Sequence, residues 1–84
     1  MKVNILFFAS CRELAGTKET EMELDGETST TSELREQVVR AFPRMVTVAT
    51  DITLAVNQEY VGAGENANLN DGDEVAFIPP ISGG

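Results

Sequence analysis

Apolar positions recur along this chain with two periods, and each period marks a kind of element. From Lys2 to Phe8 the residues Val3, Ile5 and Phe7 share one face of an extended segment, while Lys2, Asn4, Leu6 and Phe8 share the other. The all-apolar set predicts a core-facing side, and the mixed set predicts an outward side on which Leu6 and Phe8 stay partly exposed. Thr20 to Leu24 alternates again, with Thr20, Met22 and Leu24 one way and Glu19, Glu21 and Glu23 the other. That pattern predicts a half-buried strand whose carboxylates discourage edge-to-edge pairing. Between these strands, Ser10 to Leu14 predicts a short helical turn, with Ser10 as its cap, Glu13 three residues on, and Gly16 closing it.

The period then changes. Thr30-Thr31-Ser32-Glu33 is a capping box with Thr30 as N-cap, and Leu34, Val38, Ala41 and Phe42 follow at helical spacing until Pro43 stops the helix. Met45 to Thr50 fits either state. Ile52, Leu54 and Val56 alternate as a strand, Asn57-Gln58-Glu59 reads as a turn, and Tyr60-Val61 as a brief return strand. Gly62 to Asn70 reads as a polar loop anchored by Leu69. Asp71-Gly72-Asp73 is a turn signal, and Val75 to Ile78 is an apolar strand that Pro79-Pro80 ends by removing two backbone donors. The result is an α+β chain read as one domain over 1–84, with residues 79–84 expected to form a flexible, extended tail. Strand parity carries a functional consequence. If Val75 and Phe77 join Phe7 under the helix, Ile78 points to the opposite face beside Phe8, and Tyr60 completes an apolar patch there of the kind that docks a partner.

Composition narrows the function classes. Fourteen acidic residues against six basic ones give a net charge of −8, which disfavours nucleic acid and anionic membrane surfaces and favours a basic partner. Histidine is absent and Cys11 is alone, so the usual zinc sites, an intramolecular disulfide and any Ser-His or Cys-His pair are excluded, and no metal site is expected. The apolar run before Cys11 is too short for a signal segment, and a cytosolic protein is expected. The chain carries no recognisable catalytic side chains of its own. What it carries is an ending. A rigid Pro79-Pro80 spacer, Ile81, Ser82 and then Gly83-Gly84 make a slender tail that can thread a narrow channel and delivers one group, the carboxylate of Gly84.

Three blocks carry a resemblance: LNDGDEVAFIPPISGG from Leu69 to Gly84, ILFFASCRELAGT from Ile5 to Thr17, and AVNQEYV from Ala55 to Val61. In these the chain resembles the MoaD-like family, the small sulfur-carrying subunits of molybdopterin synthases. The resemblance sharpens the α+β reading to a β-grasp, the ubiquitin-like fold. First and last strands would lie side by side in a mixed sheet, with one main helix packed on one face. It also implies the chemistry. A ubiquitin-activating-type adenylating enzyme, using ATP and magnesium, would convert the Gly84 carboxylate to an acyl-adenylate. A persulfide sulfur would then leave it as a thiocarboxylate, with no cofactor bound to the chain itself. That sulfur would go to cyclic pyranopterin monophosphate in the active site of the large subunit, within a heterotetramer of two small and two large chains. Phe8, Tyr60 and Ile78 fall at hydrophobic contact positions of the family, Arg12 falls near the same interface, and the tail from Pro79 through Pro80, Ile81 and Ser82 inserts into the partner. Three other outcomes fit the same features: a ubiquitin-like modifier joined to lysines through Gly84, a carrier for another thiolation pathway, or an interaction domain whose tail does no chemistry.

Overall fold

The computed structural model describes residues 1–26, 29–48, 51–62 and 65–79. Strand β1 (Lys2–Phe7) runs antiparallel to β2 (Glu19–Glu23) on one side and parallel to β7 (Glu74–Ile78) on the other. Beyond β7 lie β4 (Thr53–Val56) and the two-residue β5 (Glu59–Tyr60), giving the order β2-β1-β7-β4-β5. First and last strands therefore meet in the middle of a mixed sheet, as the β-grasp order requires. Burial alternates along both, so one face is sealed and the other is open.

Helix α2 (Thr31–Ala41) covers the sealed face, and its Leu34 and Val38 join Val3, Ile5, Phe7, Leu54, Val75 and Phe77 in one buried cluster. Its start follows the capping-box sequence only in part. Thr30 Oγ1 accepts from the Glu33 amide at 3.3 Å, but the Glu33 carboxylate turns to the hydroxyls of Ser29 (3.0 Å) and Thr30 (3.4 Å). A second acceptor comes from far along the chain. Asn66 Oδ1 takes the Ser32 amide at 3.0 Å and the Thr31 hydroxyl at 3.2 Å, which ties the long loop to the first turn of the helix. The expected apolar stripe skips Ala41 but keeps Phe42. Ala41 is exposed, because the helix stops there and the chain turns to set Phe42 edge-on against Phe7, with ring centroids 5.4 Å apart. Of the ambiguous stretch Met45 to Thr50, Met45 to Thr47 belong to a 3₁₀ helix (Pro43–Thr47) that buries Met45 completely, and residues 49–50 lie outside the described residues.

Two further differences come from backbone shape. The loop from Gly62 to Asn70 holds Asn68–Leu69 as strand β6, paired with β3 (Ser29–Thr30) in a small second sheet, and the anchor Leu69 is fully buried. Helix α1 spans Ser10–Ala15, and its N-cap is Ala9, not Ser10, with no side-chain cap bond. The Cys11 amide instead donates to the Phe8 carbonyl at 2.9 Å across a tight turn. Ala9 occupies the second position of that turn at φ 47°, ψ −123°. This is the region of a type II′ turn that glycine normally fills, and an L-residue there costs about 1–3 kcal/mol. Gly16 closes α1 in the left-handed conformation at φ 78°, as its position predicts.

Candidate functional site

The open face is built by strand register. Residues directly opposite in neighbouring strands point to the same side. Leu6 stands opposite Ala76, Ala76 opposite Ala55, and Ala55 opposite Tyr60, so these four form one row across the sheet. One step toward the end of β7, Ile78 lies opposite Thr53, and Phe8 follows Phe7, whose partner is Phe77. The Phe8 amide still donates to the Phe77 carbonyl at 3.2 Å, the last rung before the chain leaves the sheet at Pro79. Phe8 is 42% exposed and Tyr60 is 74% exposed, whereas Ile78 is half-buried. Phe8 and Ile78 are thus neighbours, as parity predicts. Tyr60 stands three strands from Leu6, about 14 Å at the usual strand spacing, and joins the band only through Ala55 and Ala76.

The same register sorts charge from apolar surface. Glu19, Glu21 and Glu23 pair with Leu6, Asn4 and Lys2, so their carboxylates lie on the open face at its β2 edge. The apolar band occupies the half of the face nearest the tail's point of departure, and the carboxylates border it. Arg12 lies exposed on α1, one helical turn beyond Phe8. Pro79 is half-buried at the end of β7, while Pro80, Ile81, Ser82, Gly83 and Gly84 lie outside the described residues. Ala55, Ala76 and Ala9 were not singled out from the sequence. Alanine carries no pattern of its own, and only the cross-strand register reveals which face it lines.

Cys11 is fully buried, and that burial pushes its thiol above the ordinary value of 9.0. It is a neutral packing group, remote in character from a reactive thiolate. A cleft on the other side of β5 is lined by Arg35, Arg40, Glu36, Asp51 and Glu65, with Tyr60 at its edge. Its mixed charges select no ligand class. No helix among the described residues is long and apolar enough to cross a membrane.

The mixed sheet, one main covering helix and open apolar face define a ubiquitin-like β-grasp architecture. The ThiS family model matches residues 5–84, and the chain belongs to the ThiS family. Among curated relatives, the molybdopterin synthase sulfur carrier subunit of Chlamydomonas reinhardtii is 44% identical over 84 residues, which is 100% of both chains. Among solved structures, a putative molybdopterin converting factor subunit 1 from Pyrococcus furiosus superposes with a TM-score of 0.80 at 31% identity, covering 96% of this chain and 99% of that one. Small archaeal modifier protein 1 from Haloferax volcanii is also similar, with a TM-score of 0.80 at 28% identity and full coverage of both chains. The β-grasp and MoaD-like expectations from the sequence both hold.

Proposed function

We propose that this protein is the sulfur carrier subunit of a molybdopterin synthase, with Gly84 as the point of attachment. The observation that supports it most is spatial. The apolar band of Phe8, Leu6, Ala76 and Ile78 lies at the end of the sheet from which the tail departs, so one partner can cover the band and receive the tail together. The match to the Chlamydomonas carrier runs through the last residue of both chains, which supports Gly84 as the working end.

The chemistry follows from a carboxylate that is ionised at neutral pH and a poor electrophile. An adenylating enzyme joins it to the α-phosphorus of ATP, with magnesium on the phosphates and pyrophosphate leaving. A persulfide sulfur then displaces AMP, and cleavage of the S–S bond by a thiol leaves a thiocarboxylate on Gly84. Gly83 and Gly84 present no side chain to either enzyme's channel. In the large subunit the thiocarboxylate donates its sulfur to cyclic pyranopterin monophosphate. Phe8, Ile78 and Tyr60 dock that subunit, Arg12 flanks the contact, and Pro79 through Ser82 carry the tail inward. The small chain binds no cofactor of its own, acts in the cytosol, and assembles as two small and two large subunits.

A reconstituted synthase supplied with sulfur-labelled carrier tests this reading. Label should pass to the pterin product with the intact chain and not with a chain lacking Gly83 and Gly84. Equal transfer by both would contradict it. The likeness to an archaeal modifier protein keeps a second reading in view, in which Gly84 is joined to lysines. Isopeptide-linked adducts that require Gly84, with no label in the pterin, would favour it.

A further inference from the structure

Aspartate precedes glycine at Asp25-Gly26 and Asp71-Gly72, and no asparagine precedes a glycine. Such a step is chemically weak. The glycine nitrogen can attack the Cγ of the aspartate, and a residue without a Cβ leaves that approach open. The N–Cγ bond forms, water leaves with one carboxyl oxygen, and a succinimide ring results. Water then reopens the ring at either carbonyl. Opening at Cγ restores aspartate, whereas opening at the main-chain carbonyl gives isoaspartate, whose backbone runs through Cβ and Cγ. The sequence of steps needs no reagent beyond water.

The fold holds the two steps differently. Asp71 Oδ1 accepts from the Lys2 amide at 2.7 Å, and the Gly72 amide donates to the Lys2 carbonyl at 2.7 Å. Both reacting groups are thus tied to one residue of β1. The Asp73 amide closes the turn around them by donating to the Asn70 carbonyl at 3.1 Å. Ring closure must rotate Asp71 until its Cγ meets the Gly72 nitrogen, and that rotation breaks both bonds to Lys2. Asp25 and Gly26 lie just beyond β2, and both are exposed. The N-terminal ammonium donates to the Gly26 carbonyl at 3.1 Å, but that oxygen takes no part in ring closure. Among the described residues, neither the Asp25 carboxylate nor the Gly26 amide has a hydrogen-bond partner.

We propose that Asp25-Gly26 is a site of isoaspartate formation in the folded chain, and that the fold shields Asp71-Gly72 from the same reaction. The product sets a free α-carboxylate on an exposed turn, where a methyltransferase specific for isoaspartyl groups can esterify it. The inserted backbone carbon falls after the last residue of β2, so the sheet register is kept. At Asp71 the same insertion would pull the turn off Lys2.

The test ages the full-length chain at neutral pH, folded and in urea, beside Asp25→Glu. Electron-based fragmentation locates isoaspartate by residue, an isoaspartyl methyltransferase with a labelled methyl donor counts it, and circular dichroism confirms each state. In the folded parent, isoaspartate at residue 25 should exceed that at residue 71 by at least about tenfold, since two hydrogen bonds must open before the second step can react. In urea the two positions should react alike. Folded Asp25→Glu should lose the product at residue 25, because its ring would need one more carbon, and should stay unreacted at residue 71. Isoaspartate absent from residue 25, or equal at both residues in the folded parent, would overturn the proposal. So would a preference for residue 25 that persists in urea, which would place its cause in the local sequence and not in the fold.

Discussion

Phe7 and Phe77 stand opposite each other in the parallel β1–β7 pair, both buried, with ring centroids 5.8 Å apart. Because strand side chains alternate, this one contact turns Phe8 and Ile78 onto the open face. The core and the proposed docking surface are therefore built by adjacent residues. Phe77→Ala should cost about 3–5 kcal/mol by opening a cavity in the core. Phe8→Ala should leave stability within about 1 kcal/mol of the parent yet weaken binding of the large subunit by about tenfold or more, as for a central aromatic contact. Chemical denaturation and calorimetry on the two variants separate the effects. Equal stability losses would contradict the parity assignment.

The start of α2 has two acceptors of different origin. Thr30→Ala removes the cap on the Glu33 amide and should cost about 0.5–2 kcal/mol. Asn66→Ala removes the bonds from Ser32 and Thr31 and should cost about 1–2 kcal/mol. The second variant should also speed amide exchange at Ala67 and Leu69, whose loop it releases, while the first should not. Native-state hydrogen exchange by NMR checks the distinction.

Burial raises the Cys11 pKa, so the folded state favours the neutral thiol. The stabilisation this gives is complete below the ordinary thiol value of 9.0 and is lost as pH rises from there through the folded-state pKa. The parent should thus lose stability above that pH more steeply than Cys11→Ala, whose melting temperature lacks this term. Cys11→Ala should retain sulfur transfer, and the native thiol should react with aromatic disulfide reagents only on the timescale of local opening. Rapid labelling of the folded chain, or transfer lost in a folded Cys11→Ala, would contradict a packing role.

Much of this was legible in the sequence because it rests on period. The opening from Lys2 to Phe8 alternates, the apolar run Val75–Ile78 takes its parity from Val75 and Phe77 joining Phe7 under the helix, and the β-grasp resemblance, which sets the first and last strands side by side, then puts Phe8 and Ile78 on one face. Gly16 marks its own left-handed position, and Thr30 its cap. Other features have no local signature. Strands β3 and β6 are two residues each, too short for any period, and exist because Asn66 and Ala67 bond to the first turn of α2 across more than thirty residues. The turn read from the sequence at Asn57-Gln58-Glu59 is present at Asn57 and Gln58, with Glu59 already in β5, but its positive φ at both residues, 50° and 72°, without a glycine has no sequence signal. It is stabilised by register and by the Asn57 side chain, which bonds the Glu74 amide and Asp73. Ala9 is strained by its tethers, and no residue pattern announces tethers. Ala41 fitted the helical stripe but is exposed as the last residue of α2, while Phe42 just beyond it packs on the core.

Gly84→Ala adds one methyl group to the proposed point of sulfur attachment. Its melting temperature should match that of the parent within error. Sulfur transfer should fall by at least about tenfold, since a misplaced reacting carbon loses much of the advantage of fixed orientation. Single-turnover transfer assays on equal amounts of folded protein read this directly.

The central claim, that Gly84 carries sulfur, is tested most directly by intact and top-down mass spectrometry after incubation with ATP, the adenylating enzyme and a sulfur donor. The account predicts a mass gain equal to exchange of one oxygen for one sulfur, localised to Gly84. An unchanged mass, with partners shown to be active on another carrier, would contradict it.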